Sequence, residues 1–263
     1  LSIIVNKMKL IRIIPILLIK DNFLVKGEKF ENHNYVGDIY NAVKIFSEKS
    51  SHEIILLDIN ATKYQKTFDI EIIKKIKKEI FVPLTVGGGL KNLDEVTALI
   101  NEGVEKIAIN SILSQQSNIL SKIANKFGSQ SLVASLDVRK INNEYIIHFN
   151  NGKIKCEKNL RNFIKYLENE GVGEILITSI DKEGTRSGFD INLFQQIDNL
   201  TSLPIVANGG ANNLDDFEIL FDNTKISSAA GGACFVYYGK RKAVLINYPD
   251  TKTMEQLMKK YEI

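Results

Sequence analysis

The chain has 263 residues, and its 34 lysines and arginines nearly balance 31 aspartates and glutamates, giving a net charge of +3. The two signs are interspersed, which excludes the basic tract that nucleic-acid binding requires. With 44% hydrophobic and 25% charged residues the composition is that of a globular protein, and the length suits one large domain as well as two small ones.

The cysteines and histidines give no sign of a disulfide framework or a metal site. Cys156 and Cys234 lie in unlike contexts without a CxxC spacing, which indicates reduced thiols in a cytoplasmic protein. None of the three histidines stands in a zinc-binding motif, so we expect neither a metal nor another cofactor.

The N-terminal segment LSIIVNKMKLIRIIPILLIK is apolar, but polar residues interrupt it between Asn6 and Arg12. It lacks the run of about 18 apolar residues that a membrane span needs. No small-residue cleavage site of a signal peptide follows it. We predict a leader over residues 1–8, a single domain over residues 9–263, and no membrane partner.

Eight short apolar runs alternate with amphipathic patterns, of which FDIEIIKKIKKEI (68–80) and NLRNFIKYLENEG (159–171) are examples. Buried strands joined by helices indicate a parallel sheet, and eight such units predict an α/β (β/α)8 barrel. A doubly wound sheet is the alternative, but no GxGxxG follows an early strand. The predicted strands are RIIPILLI (12–19), EIILLDI (53–59), FVPLTV (81–86), KIAIN (106–110), SLVASLDV (131–138), EILITSI (174–180), LPIVAN (203–208) and ISSAA (226–230).

Two segments depart from the alternation of strand and helix. DNFLVKGEKFENHNYVGD (21–38) is polar and bears glycine, which predicts a long loop acting as a lid. INNEYIIHFNNGKIKCE (141–157) alternates around NNG, which predicts a β-hairpin inserted after strand 5.

The two halves of the sequence repeat one another. TVGGGL (85–90) resembles VANGGA (206–211), and PILLIK (15–20) resembles ASLDVR (134–139). The repeat predicts two half-barrels of four units each. It also makes Leu18 the counterpart of Asp137, so one half carries a carboxylate where the other carries a leucine.

Glycine-rich turns end a strand and open a helix at the same place in each half. Backbone amides in such turns can approach an anion closely, so we predict one phosphate site per half; two tight turns without a ligand are the alternative. The predicted phosphate-binding residues are Gly88, Gly89, Asn110 and Ser111 in the first half, and Asn208, Gly209, Gly210, Gly231 and Gly232 in the second.

Acidic residues also stand at predicted strand ends, where a barrel carries its chemistry. Asp137 is a candidate general acid or base, although an aspartate here could instead cap the next turn. Asp58 and Asp181 are further candidates for substrate contact. The loop DKEGTRSG (181–188) places three more ligand-binding candidates near them, Glu183, Gly184 and Thr185.

Four charged residues open predicted strands at the opposite end of the barrel, with alternating sign: Arg12, Glu53, Lys106 and Glu174. Solvated surface charge is the simpler interpretation. If the side chains point inward, they must pair, and a salt-bridged ring would then close the barrel and could act as a gate.

Taken together, these motifs resemble HisF, the cyclase subunit of imidazole glycerol phosphate synthase, from about Lys9 to Ile263. The motifs that carry the resemblance are RIIPILLIKD, VKGEKFEN, FVPLTVGGGL, AINS, KFGSQSLVASLDVR, GVGEILITSIDKEGTRSGFD, PIVANGGA and AAGGACFVYYG. The resemblance implies a barrel evolved from two half-barrels. It also implies a heterodimer with a HisH-like glutaminase, whose ammonia crosses a charged gate and attacks a phosphorylated substrate, PRFAR, to give imidazole glycerol phosphate and AICAR.

Carried over residue by residue, the resemblance assigns the gate to the four strand-opening charges and puts Lys26, of VKG, on the lid. It assigns phosphate binding to the predicted glycine turns and to Gly184 and Thr185, and adds Ala233 beside Gly232. It assigns the two catalytic aspartates to Asp137 and to the position of Leu18. Leucine cannot transfer a proton, so half of the catalytic pair is missing.

Three hypotheses stay open. The chain resembles HisF-like proteins of surface-polysaccharide pathways, which with a HisH-like glutaminase supply ammonia for an acetamidino sugar. Alternatively it is an authentic cyclase in which another residue replaces the lost aspartate, as two retained phosphate turns suggest. A third alternative is a non-catalytic scaffold that activates the glutaminase.

Overall fold

Eight parallel strands close into a barrel in the computed structural model, which describes residues 9–115 and 118–262. The leader predicted over residues 1–8 lies outside the described residues. The barrel strands are β1 (Arg12–Lys20), β4 (Ile54–Asp58), β5 (Leu84–Gly87), β6 (Lys106–Ile109), β7 (Leu132–Ile141), β10 (Glu174–Ser179), β11 (Ile205–Asn208) and β12 (Ser228–Gly231). Each pairs in parallel with its neighbours, and β7 pairs with β10 to complete the cylinder. The predicted (β/α)8 barrel is confirmed.

Helices cover the outside of the barrel, and most of them begin where the sequence supplies a cap. The α-helices are α1 (Ile39–Glu48), α2 (Ile70–Ile76), α3 (Leu93–Asn101), α4 (Ile119–Phe127), α5 (Leu160–Asn169), α6 (Ile191–Ile197), α7 (Leu214–Asn223), α8 (Ala233–Val236) and α9 (Thr251–Tyr261). An aspartate or asparagine oxygen accepts a backbone N–H at the start of seven of them, which satisfies donors that the helix leaves unpaired. Short 3₁₀ turns span Ser111–Gln115 and Ser129–Ser131.

The prediction that residues 21–38, after β1, form a long loop is wrong. The segment forms two further strands, β2 (Phe23–Glu28) and β3 (Glu31–Gly37), which pair antiparallel with β1 and with each other. Asp21 and Asn22, both with positive φ, make the first turn. This conformation suits a two-residue hairpin turn, which the sequence reading overlooked.

The predicted hairpin after the fifth barrel strand is present and is longer than expected. β7 runs past the barrel rim and pairs with β8 (Glu144–Phe149), which in turn pairs with β9 (Ile154–Lys155) across Asn150–Gly152. Each half-barrel therefore begins with a strand that continues into an antiparallel three-stranded extension. A last hairpin, β13 (Tyr237–Tyr238) with β14 (Ala243–Val244), precedes α9.

Two apolar clusters hold the barrel together. The larger one fills the space between sheet and helices. The smaller one lies inside the cylinder, where side chains from alternate strand positions meet. Its buried members are Ile14, Ile16, Ile55, Ala108, Val133, Leu176, Val206 and Ala230.

We call the end of the barrel at the carboxyl ends of the strands the mouth, and the other end the floor. Among the described residues, no helix is long and apolar enough to cross a membrane.

Candidate active site

A cavity of about 400 Å³ opens at the mouth of the barrel. Inward-facing residues at the ends of successive strands line its base, because side chains alternate along each strand between the barrel interior and the helices. These residues are Leu18, Leu57, Asn110, Asp137, Thr178 and Asn208. The cavity therefore stands directly above the apolar interior of the barrel.

The base of the cavity is divided into an apolar and a polar side. Leu18 and Leu57 are neighbours on β1 and β4 and form the apolar side. Asp137, Thr178 and Asn208 are neighbours on β7, β10 and β11 and form the polar side. The repeat partner of Asp137 is thus a leucine that faces the same cavity from the other half.

Asp137 is the one carboxylate among those base residues, and its surroundings make it a weaker acid than usual. Burial raises the pKa of Asp137 to about 7, the hydrogen bond from Asn110 opposes that rise, and the nearby charge of Glu183 adds to it. The Asn110 amide Nδ2 donates to the Asp137 carboxylate over 3.1 Å. A buried carboxyl whose pKa lies near neutrality can donate or accept a proton at physiological pH.

Asn208 brings an unused acceptor into the same space. Its amide Nδ2 donates to the Thr178 hydroxyl over 3.1 Å, while the Asn208 Oδ1 is buried and has no hydrogen-bond partner within residues 9–115 and 118–262. A buried acceptor without a partner is costly, which favours a ligand that donates a hydrogen bond there.

The first glycine turn is open to the cavity; we call it, with Ser111 and Thr62, the first cradle. Gly88 and Gly89 have φ values of 130° and 67°, and a Cβ on Gly88 would lie 2.6 Å from the carbonyl oxygen of Asp58. Only glycine fits here. The Thr62 and Ser111 hydroxyls are 3.1 Å apart and line the cavity beside the turn. Backbone amides and two hydroxyls are suitable donors for a phosphate.

Asp58 has a structural role in that cradle as well as a place on the cavity wall. Its carboxylate accepts the backbone N–H groups of Asn60 and Ala61 over 2.8 and 3.0 Å, which fixes the loop after β4. Burial raises the pKa of Asp58, and these two hydrogen bonds oppose the rise.

The second glycine turn is much more tightly filled; we call it the second cradle. Its residues enclose about 10 Å³ and include Glu183, Gly184, Asn208, Gly209, Gly210, Gly232 and Ala233. The Lys26 ammonium, carried by β2, lies 2.6 Å from where a Cβ of Gly232 would stand, and it forms a buried ion pair with Glu183.

Two of the candidate site residues lie away from both cradles. The Asp181 carboxylate accepts the backbone N–H of Lys140 over 2.8 Å and faces Arg139 on the β7 extension. The Thr185 hydroxyl donates to the carbonyl of Lys182 over 2.7 Å, within its own loop. Both residues hold backbone in place. Their predicted contact with a ligand stays a prediction.

The four strand-opening charges meet in one ring at the floor; we call Arg12, Glu53, Lys106 and Glu174 the floor ring. Lys106 reaches both glutamates over 2.8 Å, and Arg12 reaches Glu53 over 3.1 Å and also bonds Glu174. Both glutamates are buried, and every charge has a partner of opposite sign, as burial demands. The role of this ring as a gate stays a prediction.

Sequence reading missed the hydroxyls that complete these clusters. Thr62 joins the first cradle, Thr178 bonds Asn208 at the mouth, and Thr85 and Ser228 bond Glu53 and Arg12 at the floor. The sequence did hold a signal for Thr85 and Ser228. Each lies in a predicted barrel strand that neighbours a strand opened by one of the four predicted inward-facing charges.

Fold and site define a (β/α)8-barrel protein of two half-barrel repeats, with a glycine-rich turn in each half and a buried carboxylate at its mouth and a charged ring at its floor. The sequence model of the family described as histidine biosynthesis protein matches residues 12–242. The chain belongs to that family and, within it, to the HisF family.

Relatives at 30–40% identity cover nearly all of the chain. A Pseudomonas aeruginosa protein provisionally named imidazole glycerol phosphate synthase subunit hisF2 is 40% identical over 93% of this chain and 98% of its own length. A Leptospira borgpetersenii protein provisionally named HisF subunit is 39% identical over 94% and 98%. The imidazole glycerol phosphate synthase subunit HisF of Campylobacter concisus is 36% identical over 80% and 84%.

Proposed function

We propose that the chain is the synthase-type subunit of a glutamine amidotransferase: it receives ammonia from a HisH-like glutaminase at its floor and releases it at its mouth for an amination step in acetamidino-sugar biosynthesis. The observation that carries this proposal is the contrast between the barrel ends. The floor ring is complete, whereas at the base of the mouth the one carboxylate, Asp137, faces Leu18.

The barrel interior suits an uncharged small molecule. Between the floor ring and the mouth lies the smaller apolar cluster, with side chains from seven of the eight barrel strands. Burying a charged group in such surroundings costs far more than burying a neutral one, so ammonia is favoured over ammonium. At the mouth, the free Oδ1 of Asn208 and the Asp137 carboxyl offer acceptors to the emerging N–H groups.

The mouth is less suited to the cyclase reaction of authentic HisF subunits. Loss of one general acid or base typically costs ~10²–10⁴ in rate, and groups that act as a pair lose activity together. Leu57 beside Leu18 offers no substitute carboxyl. The relatives named hisF2 and hisF3, 40% and 38% identical, carry provisional names, while a plainly named HisF subunit is 36% identical.

An authentic cyclase that converts PRFAR and ammonia to imidazole glycerol phosphate and AICAR is the second candidate. The family membership and the presence of a glycine turn in each half favour it. Phosphate binding at the cradles is compatible with both candidates and does not separate them. The chemistry at Leu18 does, because only the cyclase reaction needs a second general acid or base.

A direct assay separates the two candidates. The assay gives the purified protein PRFAR and ammonium salt, which bypasses the glutaminase. We expect imidazole glycerol phosphate to form far more slowly than with an ordinary cyclase. Turnover at that rate would sink the proposal. We expect Leu18→Asp to raise any residual turnover, while the control Leu57→Asp, which adds a carboxyl on the neighbouring strand, does not.

A further inference from the structure

The β13–β14 hairpin stands outside the alternation of strand and helix that builds the barrel. Tyr237 pairs with Val244 and Tyr238 with Ala243, and the tip spans residues 239–242. A two-stranded hairpin alone is only marginally stable in water, so contacts with other segments must fix its place on the barrel.

Two segments of the mouth hold the hairpin. The Arg186 guanidinium, in the loop after β10, donates to the Gly239 carbonyl over 2.8 Å. The Lys242 ammonium pairs with the Glu28 carboxylate at the end of β2. The loop that carries Arg186 also carries Glu183, which lines the cavity. The hairpin therefore lies on the rim of the mouth.

The hairpin presents apolar side chains to solvent, although it is held in place. Tyr238 is 70% exposed, Val244 51% and Leu245 50%. Single exposed apolar residues are normal on a protein surface, whereas a cluster of them marks an interaction site.

The tip of the hairpin adds positive charge to this cluster. Lys240 and Arg241 are exposed, and neither has an ion-pair partner among residues 9–115 and 118–262. The sequence from 237 to 249 contains no acidic residue. An apolar centre with a polar rim is typical of protein interfaces, and a basic rim is complementary to acidic groups on the partner.

Other kinds of occupant fit this surface less well. Small-molecule sites are concave, whereas every residue from 238 to 245 is exposed. A symmetric contact with a second copy of the chain would bring two basic tips into one interface, where like charges repel. The basic run at the tip is also shorter than the clusters of about four to eight that bind anionic lipids.

The position of the hairpin indicates which protein the partner is. Ammonia, like the lysine amine, takes up a proton in water near neutral pH, and ammonium has no lone pair with which to attack. Ammonia that leaves the mouth for solvent is therefore lost to the reaction. A protein seated on the rim would receive it while it is still neutral.

We propose that the β13–β14 hairpin is the docking surface for the enzyme that consumes the ammonia, and that this enzyme binds it with an apolar patch edged by acidic side chains. The inference rests on the proposed function, because it takes the mouth as the ammonia outlet. It adds a second protein partner, at the end of the barrel opposite the glutaminase.

The apolar part of the surface is tested by measuring how the purified acetamidino-sugar-forming enzyme binds the full-length chain, with surface plasmon resonance as the readout. We expect Tyr238→Glu to weaken binding at least about tenfold, because it puts a charge into the apolar centre. The control Ile219→Glu, at a residue 50% exposed on α7, should change the affinity less than about twofold. Equal effects of the two variants, or no effect of either, would overturn the proposal.

The basic tip is tested by charge reversal. Lys240→Glu with Arg241→Glu should weaken binding at least about tenfold and slow association, since complementary charges steer the encounter. Arg161→Glu with Lys165→Glu makes the same change in net charge at exposed positions on α5 and should leave both quantities within about twofold. The same loss in this control would mean that overall charge, not the hairpin, attracts the partner, which contradicts the proposal.

Cross-linking in cells tests which partner occupies the hairpin. A photo-reactive phenylalanine analogue at position 238 should form cross-links to the ammonia-consuming enzyme, identified by mass spectrometry. Cross-links to a second copy of the chain, to the glutaminase, to nucleic acid or to lipid in its place would overturn the proposal, as would their absence.

Ammonia transfer separates failure of this inference from failure of the proposed function. In the complete system with glutaminase and glutamine, Lys240→Glu with Arg241→Glu should lower amination of the sugar at least about tenfold, while amination from ammonium salt stays within about twofold. Unchanged glutamine-dependent amination would overturn the inference and leave the proposed function intact. If the unaltered chain supports no such amination, the proposed function fails, whereas the binding measurements still report on the hairpin.

Discussion

At the scale of single residues, the main feature of the mouth is Asp137, a carboxyl whose pKa is raised by burial. Asp137 is buried, accepts a hydrogen bond from Asn110, and faces Leu18 across the cavity. Sequence alone identified the mismatch between these two residues, because the internal repeat aligns them. It could not give the protonation state, which depends on burial and on Glu183 from the loop after β10.

We predict that Asp137 lowers stability as the pH rises from about 4 to 7. Its pKa is about 7 in the folded protein, above the 3.8 of an exposed aspartate, so the folded state holds the proton more tightly. The stabilisation is present below pH 4 and is lost as the carboxyl ionises, at a cost of up to roughly 4 kcal/mol. Urea unfolding across this range measures it.

The comparison variant is Asp137→Asn, which cannot ionise. Relative to the wild type, its unfolding free energy should gain steadily as the pH rises through this window. If the difference between the two proteins does not change between pH 4 and 7, then the carboxyl is not buried as described.

At the scale of elements, the β2–β3 hairpin shows what sequence reading could and could not find. The barrel strands were predictable because each is a continuous apolar run between helices. β3, with the sequence ENHNYVG, is mostly exposed and polar, so no apolar alternation marks it. The repeat held the missing signal, since residues 21–38 align with the predicted hairpin at 141–157. The Lys26–Glu183 pair was out of reach, because it depends on how the hairpin docks.

We predict that Gly184→Ala loosens the docked hairpin. Its φ of 73° is unfavourable for alanine, and the new Cβ would collide with the Gly27 carbonyl oxygen. The matched control is Gly239→Ala, with a φ of 67° and nothing within 4 Å of the new Cβ. The control should cost about 1 kcal/mol, and Gly184→Ala clearly more. Amide hydrogen exchange over residues 23–37 should rise only in Gly184→Ala.

The floor ring supports a second prediction at this scale. Lys106→Met leaves Glu53 and Glu174 to share Arg12, so we expect a loss of up to roughly 3 kcal/mol in unfolding free energy. Lys77→Met, which leaves behind only the exposed carboxylate of Glu105, should cost less than about 1 kcal/mol. A loss no larger than that of Lys77→Met would contradict a buried, fully paired ring.

The same variant tests the gate. If the ring controls ammonia passage, Lys106→Met should change the ammonia that escapes to solvent from the glutaminase complex while the complex stays associated. Unchanged ammonia transfer with unchanged docking would instead favour a scaffold that only activates the glutaminase.

At the scale of the whole molecule, the two barrel ends differ in the segments that cover them. The mouth is covered by extensions of β1 and β7 and by the β13–β14 hairpin. Among the described residues the connections between helices and strands at the floor are short, and Phe81, three residues before β5, is 95% exposed there. Large apolar side chains exposed to this degree are common at protein interfaces.

We predict that Phe81→Glu weakens association with a HisH-like glutaminase at least tenfold. The substitution would bury a charge on a face that the proposal assigns to the partner. Phe81 packs little in the free chain, so its unfolding free energy should stay within about 0.5 kcal/mol of the wild type. Tyr238→Glu, at a residue 70% exposed near the mouth, is the matched control and should leave association unchanged. Equal weakening by both variants would place the partner elsewhere, whereas loss from Phe81→Glu alone fixes the glutaminase at the floor, from which ammonia would enter the barrel.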